Sequence, residues 1–231
     1  MSDPIQIVSR SLGDDLRALA AIGHNVANLS TPGYRAARAL PAFDGAFAPG
    51  AASNIESRTA IDQRDGALVQ TARPLDLALR GRGFFVIERD GRELLVRSGA
   101  FRIDRDNRLV TASGDPVLGL TGPLIVPGDA LRIGADGAIL AEGRELDRLR
   151  IVAVADPAGL RPAGGGAYLY LGAHGDWTGR VIQGAIESAN VDAAEETVRL
   201  IELTRHAESV QRVISIYDKA MGAGINQLGG E

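Results

Sequence analysis

The sequence predicts a mainly β fold framed by an α-helix at each end: a central twisted β barrel or sandwich module, with N- and C-terminal helices that pair as a coiled coil in an assembly. Three observations predict it. Apolar residues repeat at spacings of three and four near both ends, and through the middle the repeat shifts to two. Glycine reaches 29 of 231 residues while Trp, Tyr and Phe number only 1, 4 and 5, so the core is aliphatic and the chain turns often.

The first segment, 1–34, reads as a helix followed by a turn. Ile5, Val8, Leu12, Leu19, Ile22, Val26 and Leu29 form one stripe that only Asp15 interrupts. Ser30-Thr31-Pro32-Gly33 stops the helix, because proline and glycine suit the two central positions of a type II turn. Residues 35–57, rich in alanine, glycine and proline from Ala42 to Asn54, read as an extended linker. From 58 to 183 the pattern predicts about eight to twelve short strands. Leu75, Leu77 and Leu79 alternate, Phe84–Ile87 and Leu94–Val96 flank Asp90-Gly91, and Leu131 and Ile133 lead through Asp136-Gly137 to Ile139. Further breaks stand at Ser113-Gly114-Asp115-Pro116 and Pro127-Gly128.

The last segment, 184–231, mirrors the first. Asp192 with Glu195 is a capping-box-like start, and Leu200, Leu203, Ala207, Val210, Ile214, Tyr217 and Met221 form the stripe. Glu195 with Arg199 and Glu208 with Arg212 stand at i,i+4 on the outer face. Val198, Ile201, Val213 and Ile216 add apolar surface beyond that stripe, so this helix is expected to touch several neighbours. The economical arrangement pairs the two helices with each other and with copies from other subunits. The alternative is a two-helix layer covering one sheet within a monomer.

Charge and composition exclude several function classes. The formal net charge is -4 and the arginines alternate with acids, as in Glu88-Arg89-Asp90 and Arg92-Glu93, so no basic stripe is present for nucleic acid. No cysteine is present to form disulfides, thiolate metal sites or a cysteine nucleophile. Neither a cleaved secretory signal nor a membrane-inserted segment is expected: no basic n-region precedes an apolar stretch, and no run approaches the ~18 apolar residues of a span. His24, His174 and His206 lack a second ligand at metal-binding spacing. Gly81-Arg82-Gly83 lacks the third glycine of a phosphate loop and precedes a strand, so its glycines read as a tight turn or a close backbone approach. No Gly-x-Ser-x-Gly elbow occurs. The expectation is a non-enzyme with no catalytic residue, no metal and no cofactor.

What stands out is the pair of terminal segments. Asn25 and Asn28 sit in or at the end of a helix, where asparagine is a poor former, although its amide can satisfy free carbonyls or bridge to another chain. Ala27-Asn28-Leu29-Ser30-Thr31-Pro32-Gly33-Tyr34 resembles the amino-terminal signature of the bacterial flagellar axial proteins, the rod, hook and hook-associated family. Gly184-Ala185-Ile186-Glu187-Ser188-Ala189-Asn190-Val191-Asp192 is similar to the segment that leads into that family's last helix, with Ala189 inserted before Asn190. Arg73-Pro74-Leu75-Asp76-Leu77, Gly81-Arg82-Gly83-Phe84-Phe85 and Arg97-Ser98-Gly99-Ala100-Phe101 resemble the rod and hook subgroup.

The resemblance implies a structural subunit of the flagellar basal-body rod. Such a subunit is exported unfolded by the flagellar type III apparatus and polymerises helically with itself and with other proximal and distal rod proteins in the periplasmic space. The terminal helices would line the inner tube and the β domain would lie outside it. The expected packing positions are Leu12, Leu19, Ile22, Val26, Leu203, Val210, Ile214 and Tyr217. Asn25, Asn28, Pro32, Gly33 and Tyr34 are expected to shape the first turn, and Asn190 and Asp192 to start the last helix.

Overall fold

The computed structural model describes residues 4–39, 59–126, 131–141 and 143–228. Most of the expected linker and the Pro127-Gly128 break lie outside these residues. The chain is mainly β with a helix near each end, α1 (Pro4–Ala27) and α2 (Ala193–Leu228). It divides into two compact units. One comprises the described residues of Met1–Val26, Ala37–Thr59 and Asp192–Glu231 and holds the helices; the other comprises Ala27–Ala36 and Ala60–Val191.

In the helical unit, α2 starts where the sequence places it. The Asp192 carboxylate accepts the N–H groups of Ala194 (2.8 Å) and Glu195 (3.2 Å), which have no partner within the helix. The capping box is only half formed: Glu195 turns outward to Arg199 at 2.5 Å instead of returning to the cap. Beyond Arg38, which lines the site described below, Ala37–Ala39 is a short strand.

In the β unit the chain turns sharply after α1, two residues earlier than the apolar stripe reaches. Thr31 donates its N–H to the Asn28 carbonyl and its hydroxyl to the Asn28 side chain (3.0 and 3.1 Å). Tyr34 N–H then reaches the Thr31 carbonyl at 3.2 Å with Pro32 and Gly33 between them. Gly33 has φ 68°, as the third residue of a type II turn demands, and a Cβ there would lie 2.4 Å from Ser98 N.

The strands of the β unit are short, and those named below pair antiparallel. A six-stranded sheet runs in the order Arg161–Pro162, Ala167–Leu169, Arg92–Val96, Phe84–Arg89, Ile151–Val154, His174–Asp176. Its central hairpin pairs Arg89 with Arg92 around Asp90-Gly91, whose φ values of 52° and 71° are those of a type I′ turn. A three-stranded sheet of Leu131–Ile133, Ala138–Ala141 and Arg144–Arg148 turns at Asp136-Gly137. Two ribbons join the early strands to the late ones: Leu77–Arg80 with Arg180–Gln183, and Leu68–Gln70 with Ala185–Glu187.

The sheets curl about one aliphatic core that includes Leu77, Leu79, Ile87, Leu109, Val117 and Leu124. Two phenylalanine rings, Phe85 and Phe101, meet edge to face there at 5.1 Å. Leu77–Leu79 and Phe84–Ile87 are buried on both faces, so the alternation that the sequence suggests for them is incomplete.

Trp177, the single tryptophan, explains the Gly81-Arg82-Gly83 segment. A Cβ on Gly83 would lie 2.4 Å from its ring, and one on Gly179 2.5 Å. The indole therefore lies against bare backbone. Gly83→Ala forces the ring or the strand to shift and should destabilise the β unit by about 1–3 kcal/mol, read as a lower urea midpoint in the Trp177 emission.

Candidate assembly interface

Within the helical unit, polar contacts join α1 to α2. Asn25 is fully buried. Its amide nitrogen donates to the Ala37 carbonyl (3.0 Å) and to Glu196 (3.2 Å), while its oxygen accepts Ala37 N–H (2.8 Å). Glu196 is likewise buried, and Arg38 pairs with it. Farther along, Asp15 faces His206 at 2.9 Å. From Asn25 to Asp15 the first helix descends in number as the second ascends from Glu196 to His206, so the two run antiparallel. The residue that interrupts the apolar stripe of α1 thus meets the other helix. An open groove of about 350 Å³ lies between the helices, with Ala18, Ile22, Arg38 and Leu203 among its lining residues.

The packing positions divide on this unit. Ile22 is buried, and Leu203, Val210 and Tyr217 are half-buried. Leu12, Leu19, Val26 and Ile214 are exposed. Asn25 serves the helix contact and the Ala37 backbone, whereas Asn28 with Pro32 and Gly33 makes the turn.

In the β unit, the turn is held by a cluster of four charged side chains, of which Arg35, Arg97 and Glu187 are buried and Asp65 is exposed. Glu187 receives Arg97 Nε at 2.6 Å and Arg35 Nη2 at 2.9 Å, plus the N–H of Gly66 at 2.8 Å. Asp65 meets Arg35 at 3.2 Å and Arg97 at 3.1 Å. Arg97 spends its remaining donors on the carbonyls of Leu79, Gly81 and Gly83 (2.6–2.7 Å). Arg35 also donates to the Arg64 carbonyl. Burial, and then the second guanidinium, pushes the Arg97 pKa down, against the pull of Glu187. Asp65 moves the other way: burial opposes its charge, but the Gly81 N–H and both arginines hold its carboxyl below the ordinary aspartate range.

Asn190 ties a second knot beside this one. Its side-chain oxygen accepts Ala36 N–H (2.6 Å), its amide donates to the carbonyls of Asp62 (2.9 Å) and Arg64 (2.8 Å), and its N–H reaches the Tyr34 carbonyl (3.2 Å). Asp192 caps the helix, while Asn190 binds backbone from two separate segments, Tyr34–Ala36 and Asp62–Arg64.

With this geometry in hand, the comparisons are specific. Residues 182–228 match the family described as "Flagellar basal body rod FlgEFG protein C-terminal", and residues 78–141 match "Flagellar hook protein FlgE/F/G D1 domain". The flagellar basal-body rod protein FlgF of Escherichia coli (strain K12) is 31% identical, with 99% of this chain and 98% of the relative covered. The chain belongs to the flagellar basal-body rod protein family. FlgF of Salmonella typhimurium (strain LT2) is also 31% identical over the same shares of each chain. FlgG of Agrobacterium fabrum (strain C58) reaches 31% with 87% of this chain and 90% of its own length covered.

The rod-family segments gain physical roles from the cluster. Arg97 and Glu187 stand in two of the segments that carried the resemblance, and Gly33 donates its N–H to the Glu187 carbonyl at 2.7 Å. Sequence reasoning missed Arg35, Asp65, Arg38 and Glu196 as site residues. No local pattern marks them, since each partner lies far along the chain.

Two outcomes test the cluster. Glu187→Gln leaves two buried guanidinium groups facing a neutral amide and should cost about 3–5 kcal/mol of unfolding free energy, measured by urea titration. Asp65 has a folded-state pKa below its unfolded value, so its contribution is complete above about pH 4 and is lost as pH falls through the lower folded value. Asp65→Asn should therefore flatten the acid limb of the stability-against-pH curve, and an unchanged limb would exclude this role.

Proposed function

We propose that this chain polymerises through its two terminal helices, which carry the subunit contacts. As a member of the rod family it is a structural subunit of the flagellar basal-body rod. The proposal is carried by the apolar rows that both helices leave uncovered. Leu12, Leu16, Leu19 and Val26 are exposed along α1, as are Val198, Ile201, Val213 and Ile216 along α2. Hiding one such side chain stabilises by about 1.5–3 kcal/mol, so a row of them favours association over solvation.

On this reading the helices form a coiled coil with copies of themselves and with other rod proteins. Leu12, Leu19, Ile22, Val26, Leu203, Val210, Ile214 and Tyr217 pack, and the β unit completes a twisted barrel-like module. The chain acts by transmitting torque in the periplasmic space after delivery by the flagellar export apparatus, and it catalyses nothing. The fuller coverage of FlgF than of FlgG supports a place in the proximal rod over the distal one.

Val210→Asp and Ile214→Asp place a charge in the stripe. Each should abolish swimming in soft agar while the purified variant keeps the thermal transition of its β unit. Normal swimming in either would overturn the proposal.

A further inference from the structure

Within the helical unit, the Asn25–Glu196 contact between α1 and α2 is buried at both partners. Ten residues along each helix, roughly 15 Å away at about 1.5 Å per residue, Asp15 meets His206. Equal spacing on the two helices keeps both contacts in one register. Between them lies the open groove of about 350 Å³, so close packing does little to hold the helices over this stretch.

The outer contact is unequal in its burial. The Asp15 side chain is 12% exposed and that of His206 56%. Both Asp15 oxygens lie against His206 Nδ1, at 2.9 and 3.1 Å, and no other cation stands at ion-pair distance from Asp15 among the described residues. A nearly covered carboxylate on an apolar stripe thus depends for its charge balance on an imidazole. Histidine is the side chain that gains or loses a charge between about pH 5 and 8.

The other charges around the groove are committed elsewhere. Arg38 and Arg199 are each drawn to Glu195 and Glu196. On the exposed side of α1, Arg17 is taken by Asp14 at 2.6 Å. Glu202, one turn before His206, lines the groove as well and has no ion pair among the described residues. Arg205 and Glu208 flank His206 in sequence but lie outside that lining. With a neutral imidazole, Asp15 and Glu202 are therefore left uncompensated. A second proton on the ring offsets one of them and makes the Asp15 contact a charge-assisted bond.

We infer that Asp15 and His206 form a proton-dependent latch that holds α1 against α2, closed while the imidazole carries its second proton and loosened once that proton leaves. The protonated ring binds Asp15 more strongly than the neutral one, so the latch contributes in full at the acid end of the imidazole range and is lost as pH rises through it. A neutral ring in the Nδ1–H tautomer keeps a plain hydrogen bond, which limits the size of the change. Loosening starts at the Asp15 end, because the Asn25 contact with Glu196 and Ala37 involves no histidine. The latch acts within one chain and stands apart from whatever the helices meet in an assembly.

Hydrogen exchange of the full-length chain, read by mass spectrometry on peptides from α1, tests the latch. Protection factors remove the intrinsic effect of pH on exchange. Amides around Asp15 should lose about two- to fivefold of their protection between about pH 5.5 and 8, as suits a partly exposed ion pair, while peptides from Phe84–Val96 keep theirs. His206→Gln and Asp15→Asn should each abolish this step, whereas His24→Gln, which alters the other histidine of the helices, should keep it. A purely structural pair would instead lower protection equally at both pH values when mutated. No step in the unaltered chain, a step that survives His206→Gln, or α1 amides unprotected at both pH values would overturn the inference. So would a step that grows with protein concentration, since a contact within one chain is independent of it.

Discussion

Arg35 and Arg97 lie side by side with their charges hidden from water, an arrangement that only carboxylates in the same pocket can sustain. Glu187 and Asp65 supply that balance, and every remaining Arg97 donor is spent on main-chain carbonyls. The result fixes more than four side chains. Through Leu79, Gly81 and Gly83 the cluster sets the path between two strands, through Gly66 it sets the start of another, and through Gly33 it holds the turn that follows α1. Charge balance around two buried guanidinium groups thereby becomes a geometric constraint on segments distant in sequence.

The turn and the segment before α2 meet at this place, and Asn190 reinforces it with a different chemistry. An amide presents donors and an acceptor together, so one side chain satisfies backbone from Ala36, Asp62 and Arg64 at once. Aspartate there would lose both donors, and serine would not reach. In the helical unit Asn25 repeats the device on Ala37 and Glu196. Each unit therefore has an asparagine, buried in the helical unit and half-buried in the β unit, that fixes register where apolar contact alone would permit sliding.

Much of this fold was legible in the sequence, and the reason is local physics. Stripe periodicity located both helices, Asp90-Gly91 and Asp136-Gly137 located hairpins, and Thr31-Pro32-Gly33-Tyr34 specified its turn. What stayed hidden depends on pairing across the chain. Asp15 looked like a flaw in a stripe until His206 appeared opposite it, and Arg97 was one arginine among 24 residues of its kind, since Lys219 is the only lysine among 25 basic residues. Asn190 was assigned to the helix beside it in sequence, although its hydrogen bonds run to segments beside it in space. Glycine content gave many turns, but that Gly83 and Gly179 make room for an indole could not be read from it.

The ribbons that join Leu68–Gln70 to Ala185–Glu187 and Leu77–Arg80 to Arg180–Gln183 have a kinetic side. Each closes a loop that contains nearly the whole β unit, so the entropy of closure must be lost before the contacts that offset it can form. Folding of this unit is accordingly slow and late. A chain synthesised from its amino end leaves this unit open until the residues around Glu187 have arrived.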